Sequence, residues 1–144
     1  MVKVALSLLD IAGQKRFSFF KTDFYKGCAA VALVFDLTRP ETFENAVTYC
    51  KDIRKQSGNI PIILVGNKED LVKDIGEMIS RKRIIDFVNR YDLLEYITTC
   101  ALENKNVATL FNRLALAALL DLQPRRGEIN LREENRFSFK VSLV

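Results

Sequence analysis

The apolar run Ile60-Pro-Ile-Ile-Leu-Val-Gly66 stops at Asn67-Lys68-Glu69-Asp70, which sets an amide, an amine and a carboxylate together at its carboxyl end. Two other places in the chain have the same character. Asp10-Ile11-Ala12-Gly13-Gln14 follows an alternating apolar stretch, and Thr99-Cys100-Ala101-Leu102 ends the stretch that begins Leu93-Leu-Glu-Tyr-Ile-Thr98. Taken singly, a D-x-x-G is more often a turn and an N-K-x-D more often a helix start or a solvated loop. Taken together, each behind a strand pattern, they suggest one site. Open parallel sheets bind ligands beyond the carboxyl ends of their strands.

The elements that must carry these groups are legible as periodicities. Val2, Val4, Leu6 and Leu8 alternate over residues 2–9, which predicts a strand. Residues 14–27 are basic and aromatic and read as a loop with a helical second half. Cys28-Ala-Ala-Val-Ala-Leu-Val-Phe-Asp-Leu37 is continuously apolar, as in strands buried on both faces. Thr38-Arg-Pro-Glu41 has the form of a capping box with proline in the first turn. Phe43, Ala46, Val47, Cys50 and Ile53 then recur at helical spacing up to Ser57-Gly58-Asn59. Residues 60–66 form another buried strand. Ile84, Phe87, Val88 and Tyr91 stripe a helix capped by Ser80, and residues 93–99 read as a strand. Val107, Leu110, Phe111, Leu114 and Ala118 stripe a last helix ending near Pro124. Strands alternating with helices imply a parallel sheet covered by helices on both faces.

Composition narrows the chemistry. The 144 residues fit one domain, half apolar and 28% charged. The net charge of +4 is mild, compatible with a nucleotide or an acidic membrane surface but ordinarily no more than an aid to solubility, and no nucleic-acid partner is expected. There is no histidine, so imidazole catalysis and histidine metal sites are excluded. Cys28, Cys50 and Cys100 are odd in number and lack C-x-x-C spacing, consistent with free thiols in a reducing cytoplasm. No run approaches the roughly 18 apolar residues of a membrane span, the amino terminus is too short an apolar run for a signal peptide, and the final residues carry no prenylation cysteine.

With these motifs in place, the chain resembles a small GTPase of the Ras superfamily, nearest its Ras and Rab branches. Leu8-Leu-Asp-Ile-Ala-Gly-Gln-Lys-Arg-Phe17 is similar to the start of the family's switch II. Residues 32–46 resemble its fourth strand and the helix after it, residues 60–71 its guanine motif, and Thr98-Thr-Cys-Ala-Leu102 its last base-contacting loop. The likeness runs from about residue 3 to residue 122. It implies a P-loop-NTPase-like α/β fold, binding of GTP or GDP with Mg²⁺, GTP hydrolysis, and a role as a molecular switch in signalling or trafficking.

The resemblance also assigns roles. Asp70 would accept the two adjacent N–H donors on one edge of guanine, a pair that adenine lacks, so a site built for them rejects adenine. Asn67 would tie the loops together, and Lys68 would lay its stem along the base. Cys100, Ala101 and Leu102 would complete the base site, with the Ala101 N–H meeting the guanine carbonyl oxygen. Asp10 would hold Mg²⁺ through a water, the Gly13 N–H would sense the γ-phosphate, and Gln14 would orient the attacking water. Effectors or regulators would meet the chain through switch II, where the aromatics of residues 16–25 are expected to be exposed. Ile11 and Leu102 replace the family's usual Thr and Lys.

One expected part is missing. The six glycines, at 13, 27, 58, 66, 76 and 127, include no G-x-x-x-x-G-K-[ST] spacing, so the sequence contains no phosphate loop, and the switch I threonine is missing with it. Residue 1 falls where the family's third strand begins, which reads as an amino-terminal truncation of the GTPase domain. Residues 1–123 form the partial domain and 124–144 a tail. Base contacts alone must then offset the roughly 4–15 kcal/mol cost of association, so guanine nucleotide affinity no tighter than about millimolar is expected. Hydrolysis suffers more, because it depends on positioning the phosphates. Two other readings stay open: a non-catalytic interaction module, and a fragment complemented by another chain.

The family's sheet has another strand between the two at residues 2–9 and 29–36. The tail segment Arg136-Phe-Ser-Phe-Lys-Val-Ser-Leu-Val144 alternates apolar and polar residues. It either pairs with a strand left exposed, most plausibly that at 2–9, or frays.

Overall fold

The computed structural model describes residues 3–11, 25, 27–126 and 136–143. Five strands, β1 (Lys3–Asp10), β2 (Ala30–Asp36), β3 (Ile62–Asn67), β4 (Glu95–Thr98) and β5 (Arg136–Leu143), form one sheet in the order β1-β5-β2-β3-β4. Every pairing is parallel. Helices α1 (Pro40–Ser57), α2 (Glu69–Ile75), α3 (Arg81–Arg90) and α4 (Val107–Arg126) complete the described elements. The parallel α/β sheet with flanking helices is the architecture expected from the periodicities.

The two faces of the sheet follow from the two-residue period of a strand. Val31, Leu33 and Phe35 of β2, with Ile62 and Leu64 of β3, point to the side of α1 and α3, where Phe43, Ala46, Cys50, Ile53, Ile84 and Phe87 meet them. Phe43 stands edge-on to Phe35 at 5.1 Å and to Phe87 at 5.5 Å, so an aromatic chain joins β2, α1 and α3. Ala30, Ala32, Ile63 and Val65 face the other way, against Leu110, Leu114 and Ala118 of α4. The alanines on that face leave room for the helix to lie close to the sheet.

The carboxyl-terminal strand lies inside the sheet. β5 pairs with β1 over its whole length, from Lys3↔Arg136 to Asp10↔Leu143, and with β2 from Ala30↔Val141 to Ala32↔Leu143. The expected partnership with the first strand is therefore present, and fraying is not. The placement between β1 and β2 goes further, since it supplies both of them with ladder partners where an interior strand is needed.

The capping box is not formed. α1 begins at Pro40 with Arg39 at its cap, which makes no side-chain capping bond. The Thr38 hydroxyl donates instead to Asp36 Oδ1 at 2.6 Å, and the Thr42 hydroxyl donates to Arg39 O at 2.6 Å. A buried-end carboxylate two residues upstream outcompetes the helix N–H for the threonine. Ser80 does cap α3, accepting from the Arg83 N–H at 3.3 Å. The short α2, with no buried residue, carries no periodic signal and was not expected.

Arg54 organises the base of the molecule in a way no motif reveals. Its guanidinium donates to four carbonyls: Ile60 O at 2.7 Å, Asp92 O at 2.8 Å, and Gly58 O and Tyr91 O each at 3.2 Å. It thereby stitches the end of α1 to the starts of β3 and β4. Replacing it with Met is expected to cost about 2–4 kcal/mol, since those acceptors lose a charged donor. Lys should rescue little, because one ammonium cannot reproduce the planar fork. Urea unfolding of the two variants checks this.

Gly66 is required for space. A Cβ there would sit 2.6 Å from Tyr96 Oη and 2.9 Å from Leu37 Cδ2. Gly66→Ala should therefore destabilise by about 1–3 kcal/mol. Tyr96→Phe, which removes the nearest atom, should recover part of that loss in the double variant's thermal midpoint.

Candidate functional site

The carboxyl ends of β1, β2, β3 and β4 lie on one side of the sheet, as parallel pairing requires, and the motif residues sit there. β3 ends at Asn67, whose side chain crosses to the loop after β4. Asn67 Oδ1 accepts from the Thr99 hydroxyl at 3.0 Å and from the Ala101 N–H at 3.2 Å. Backbone bonds reinforce the junction: Thr99 N donates to Gly66 O at 2.8 Å and Glu69 N to Thr99 O at 3.2 Å. The expected tie between loops is this amide. The Ala101 N–H is engaged by it, so a ligand carbonyl would share that donor with Asn67.

Lys68 turns the chain from strand to helix in the left-handed conformation, φ 64°, which is uncommon for a side-chain-bearing residue. Its Nζ lies 2.6 Å from Asp36 Oδ2 at the end of β2. Asp36 also accepts from the Thr38 N–H at 2.9 Å and the Thr38 hydroxyl. Burial works to raise its pKa, but the Lys68 ammonium and the Thr38 donors outweigh burial and hold the carboxyl below its ordinary range. The sequence reading missed Asp36. The rule that singled out Asn67 would have found it, because it too closes an apolar strand at its carboxyl end.

Asp70 is half-buried in the first turn of α2. One of its oxygens accepts from the Cys100 thiol at 3.1 Å. Burial first, and then the carboxylate it donates to, push the Cys100 pKa up against the opposing Glu103 N–H, so the thiol stays protonated as a donor. A carboxylate has about four lone-pair positions, so Asp70 keeps capacity for two further donors. Nearby, Lys105 Nζ lies 2.6 Å from Glu69 Oε2, and this contact, above all, lowers the Glu69 pKa against burial. Asn106 Nδ2 donates to Thr98 O at 2.8 Å, which closes the 98–106 loop. Leu102 is 88% exposed, an apolar side chain held out beside Ala101.

The other half of the expected set is not gathered. Gly13 and Gln14 lie outside the described residues. Asp10 is exposed at the end of β1. Among the described residues no group of three or more Asp, Glu, His or Cys side chains could hold a metal, so Asp10 alone does not make a fit for Mg²⁺. Of the aromatics in residues 16–25, only Tyr25 is described, and it is 1% exposed within the α1-side core. It is a core residue and not part of an exposed binding surface, because its ring fills the space beside α1.

The arrangement at β3 and β4 now meets an independent finding. A model of the Ras family matches residues 1–119. The chain belongs to the Ras family. It is 34% identical over 114 residues to Ras-related protein YPTC6 of Chlamydomonas reinhardtii, which covers 77% of this chain and 50% of that protein. It is 32% identical over 131 residues to Ras-related protein Rab-3 of Caenorhabditis elegans, covering 86% and 58%. It is 36% identical over 120 residues to Ras-related protein RABC1 of Arabidopsis thaliana, covering 81% and 55%. The chain thus spans between half and three fifths of these relatives. Among the described residues, no helix is long and apolar enough to cross a membrane.

Proposed function

We propose that this Ras-family chain recognises the guanine base of GTP or GDP as the base-reading part of a small GTPase switch acting in signalling or trafficking. The observation that carries the reading is the junction of two loops in which Asn67 is bonded to Thr99 and Ala101, and Asp70 to Cys100. That network fixes the Asp70 carboxylate beside an exposed loop while leaving acceptor capacity for the paired donors of guanine. Preorganisation of this kind has no evident purpose in a turn that only links elements. Lys68, steered by Asp36, and the exposed Leu102 would flank the base.

Family membership supports the rest of the reading. Gln14 would orient a hydrolytic water and Gly13 would meet the γ-phosphate. Mg²⁺ and its contact with Asp10 rest on family membership alone, because the described residues around Asp10 do not make a site for the ion. Regulators or effectors would meet the switch II segment, in the cytoplasm.

The test is an amide chemical-shift titration of the labelled chain with GMP and, separately, AMP. GMP should move the Asn67, Asp70 and Ala101 signals with a Kd of about millimolar, and AMP should not. Equal responses, or none at either loop, would refute base recognition.

A further inference from the structure

Between the carboxyl ends of β2 and β4, α2 and the start of α3 lies a cleft of about 400 Å³ that base recognition does not use. That volume falls at the small end of small-molecule sites, which run from roughly 300 to 1,000 Å³. Leu37, Val72, Ile79 and Ile84 make its apolar wall, and burial of Ile79 and Ile84 fixes that wall in place. Tyr96 adds a ring stacked on Phe35 at 6.3 Å, with its hydroxyl standing over Gly66.

The charged groups of the lining differ in their commitments. Glu69 is engaged twice, by the Thr98 hydroxyl at 3.2 Å and by Lys105 Nζ at 2.6 Å. Glu77, in the loop between α2 and α3, and Arg81, the first residue of α3, are both exposed. Among the described residues, neither of their side chains nor the Tyr96 hydroxyl enters a hydrogen bond or ion pair. All three are nonetheless close. Burial above all, and then Glu69, pushes the Tyr96 pKa up to about 12, while Arg81 opposes the rise and Glu77 adds to it. The phenol is therefore a protonated donor at neutral pH, with one open cation and one open anion around it.

We infer that this cleft binds an α-amino acid with a large apolar side chain. The carboxylate meets Arg81 and the Tyr96 hydroxyl, the ammonium meets Glu77, and the side chain lies on Leu37, Ile79 and Ile84. Opposite charges that line one cleft without closing on each other suit a ligand that carries both. An apolar anion would face Glu77 with nothing to offer it, and an apolar amine would face Arg81 in the same way. The guanidinium fork fits a carboxylate, and the wall favours a large side chain over glycine. Exposed charges contribute little each, so a Kd of about millimolar is expected. None of these groups belongs to the base-reading set, so the inference stands apart from guanine recognition.

An amide chemical-shift titration of the labelled full chain with L-phenylalanine tests this, with phenethylamine and 3-phenylpropionate as its single-charge counterparts. Phenylalanine should move the Glu77, Ile79, Arg81 and Tyr96 signals. Each counterpart should bind about fivefold more weakly, the size of one exposed ion pair lost. Arg81→Gln should erase the advantage of phenylalanine over phenethylamine, and Glu77→Gln its advantage over 3-phenylpropionate. Both positions are exposed, so both variants should keep the parent's thermal midpoint. Signals at the cleft that stay still up to about ten times the expected Kd overturn the inference. A counterpart that binds as tightly as phenylalanine also overturns it, since one charge would then suffice. So does either preference surviving in the variant meant to erase it.

Discussion

Ending the chain after Arg126 is expected to cost it most of its solubility and to abolish a single cooperative unfolding transition. Among the described residues β1 has one strand neighbour, β5, and is paired to it over all eight of its residues. Val4 and Leu6 of β1 also pack against the α4-side cluster, so losing β5 loosens hydrophobic contacts as well as the ladder. A strand of the composition Lys-Val-Ala-Leu-Ser-Leu-Leu-Asp, without proline and with one charge at each end, would then present two bare edges. Domain stability totals only about 5–15 kcal/mol, which the loss of a central strand can consume entirely. Proline at Val141 gives a finer version. Val141 is paired to Leu8 on one side and Ala30 on the other, so whichever neighbour its N–H serves, a ladder bond is lost inside the sheet. Soluble yield and urea midpoints decide the matter. An unchanged midpoint after truncation would show that β5 contributes nothing to the fold.

Asp70→Asn should have the largest effect on ligand choice. The Asn oxygen can still accept from the Cys100 thiol, so the loop junction survives. The second oxygen, however, becomes an NH₂ group, which turns a donor toward the donors of guanine. A lost charged hydrogen bond with a donor clash is worth about 2–4 kcal/mol, roughly 30- to 1000-fold in affinity. From a parent Kd near millimolar, GMP binding should vanish from the shift titration while the spectrum stays that of a folded protein. Undiminished preference for GMP over AMP in the variant would mean that the base is read elsewhere. Asn67→Ala makes a useful contrast. It frees the Thr99 hydroxyl and the Ala101 N–H together, so it should disturb both loops as well as binding.

How much of this was legible beforehand can be argued residue by residue. Phe43, Ala46, Cys50 and Ile53 were placed on the buried stripe of α1 by spacing alone, and all four are buried. Ile84 and Phe87 behave likewise on α3. Asn67 was expected to bridge two loops and does. Thr38 was misread because a hydroxyl near a helix start has competing acceptors, and the Asp36 carboxylate, only two residues upstream, took it at 2.6 Å. Tyr25 was misread because a loop composition of aromatics and lysines does not say which ring turns inward. Arg54 gave no signal at all: its acceptors are backbone carbonyls, which every residue carries.

The sequence by itself determined the types of the strands and of the longer helices, the parallel character of the sheet, the family, and the amide and carboxylate pair that follows β3. Those properties are written in periods of two and 3.6 residues and in short motifs, so they need no partner to be recognised. Only the tertiary structure decided that a strand from the far end of the chain enters between β1 and β2, that Asp36 steers Lys68, and that Arg54 joins three elements. Each of these depends on which distant segments become neighbours, and a hydrogen bond or a burial between remote residues leaves no mark on local pattern.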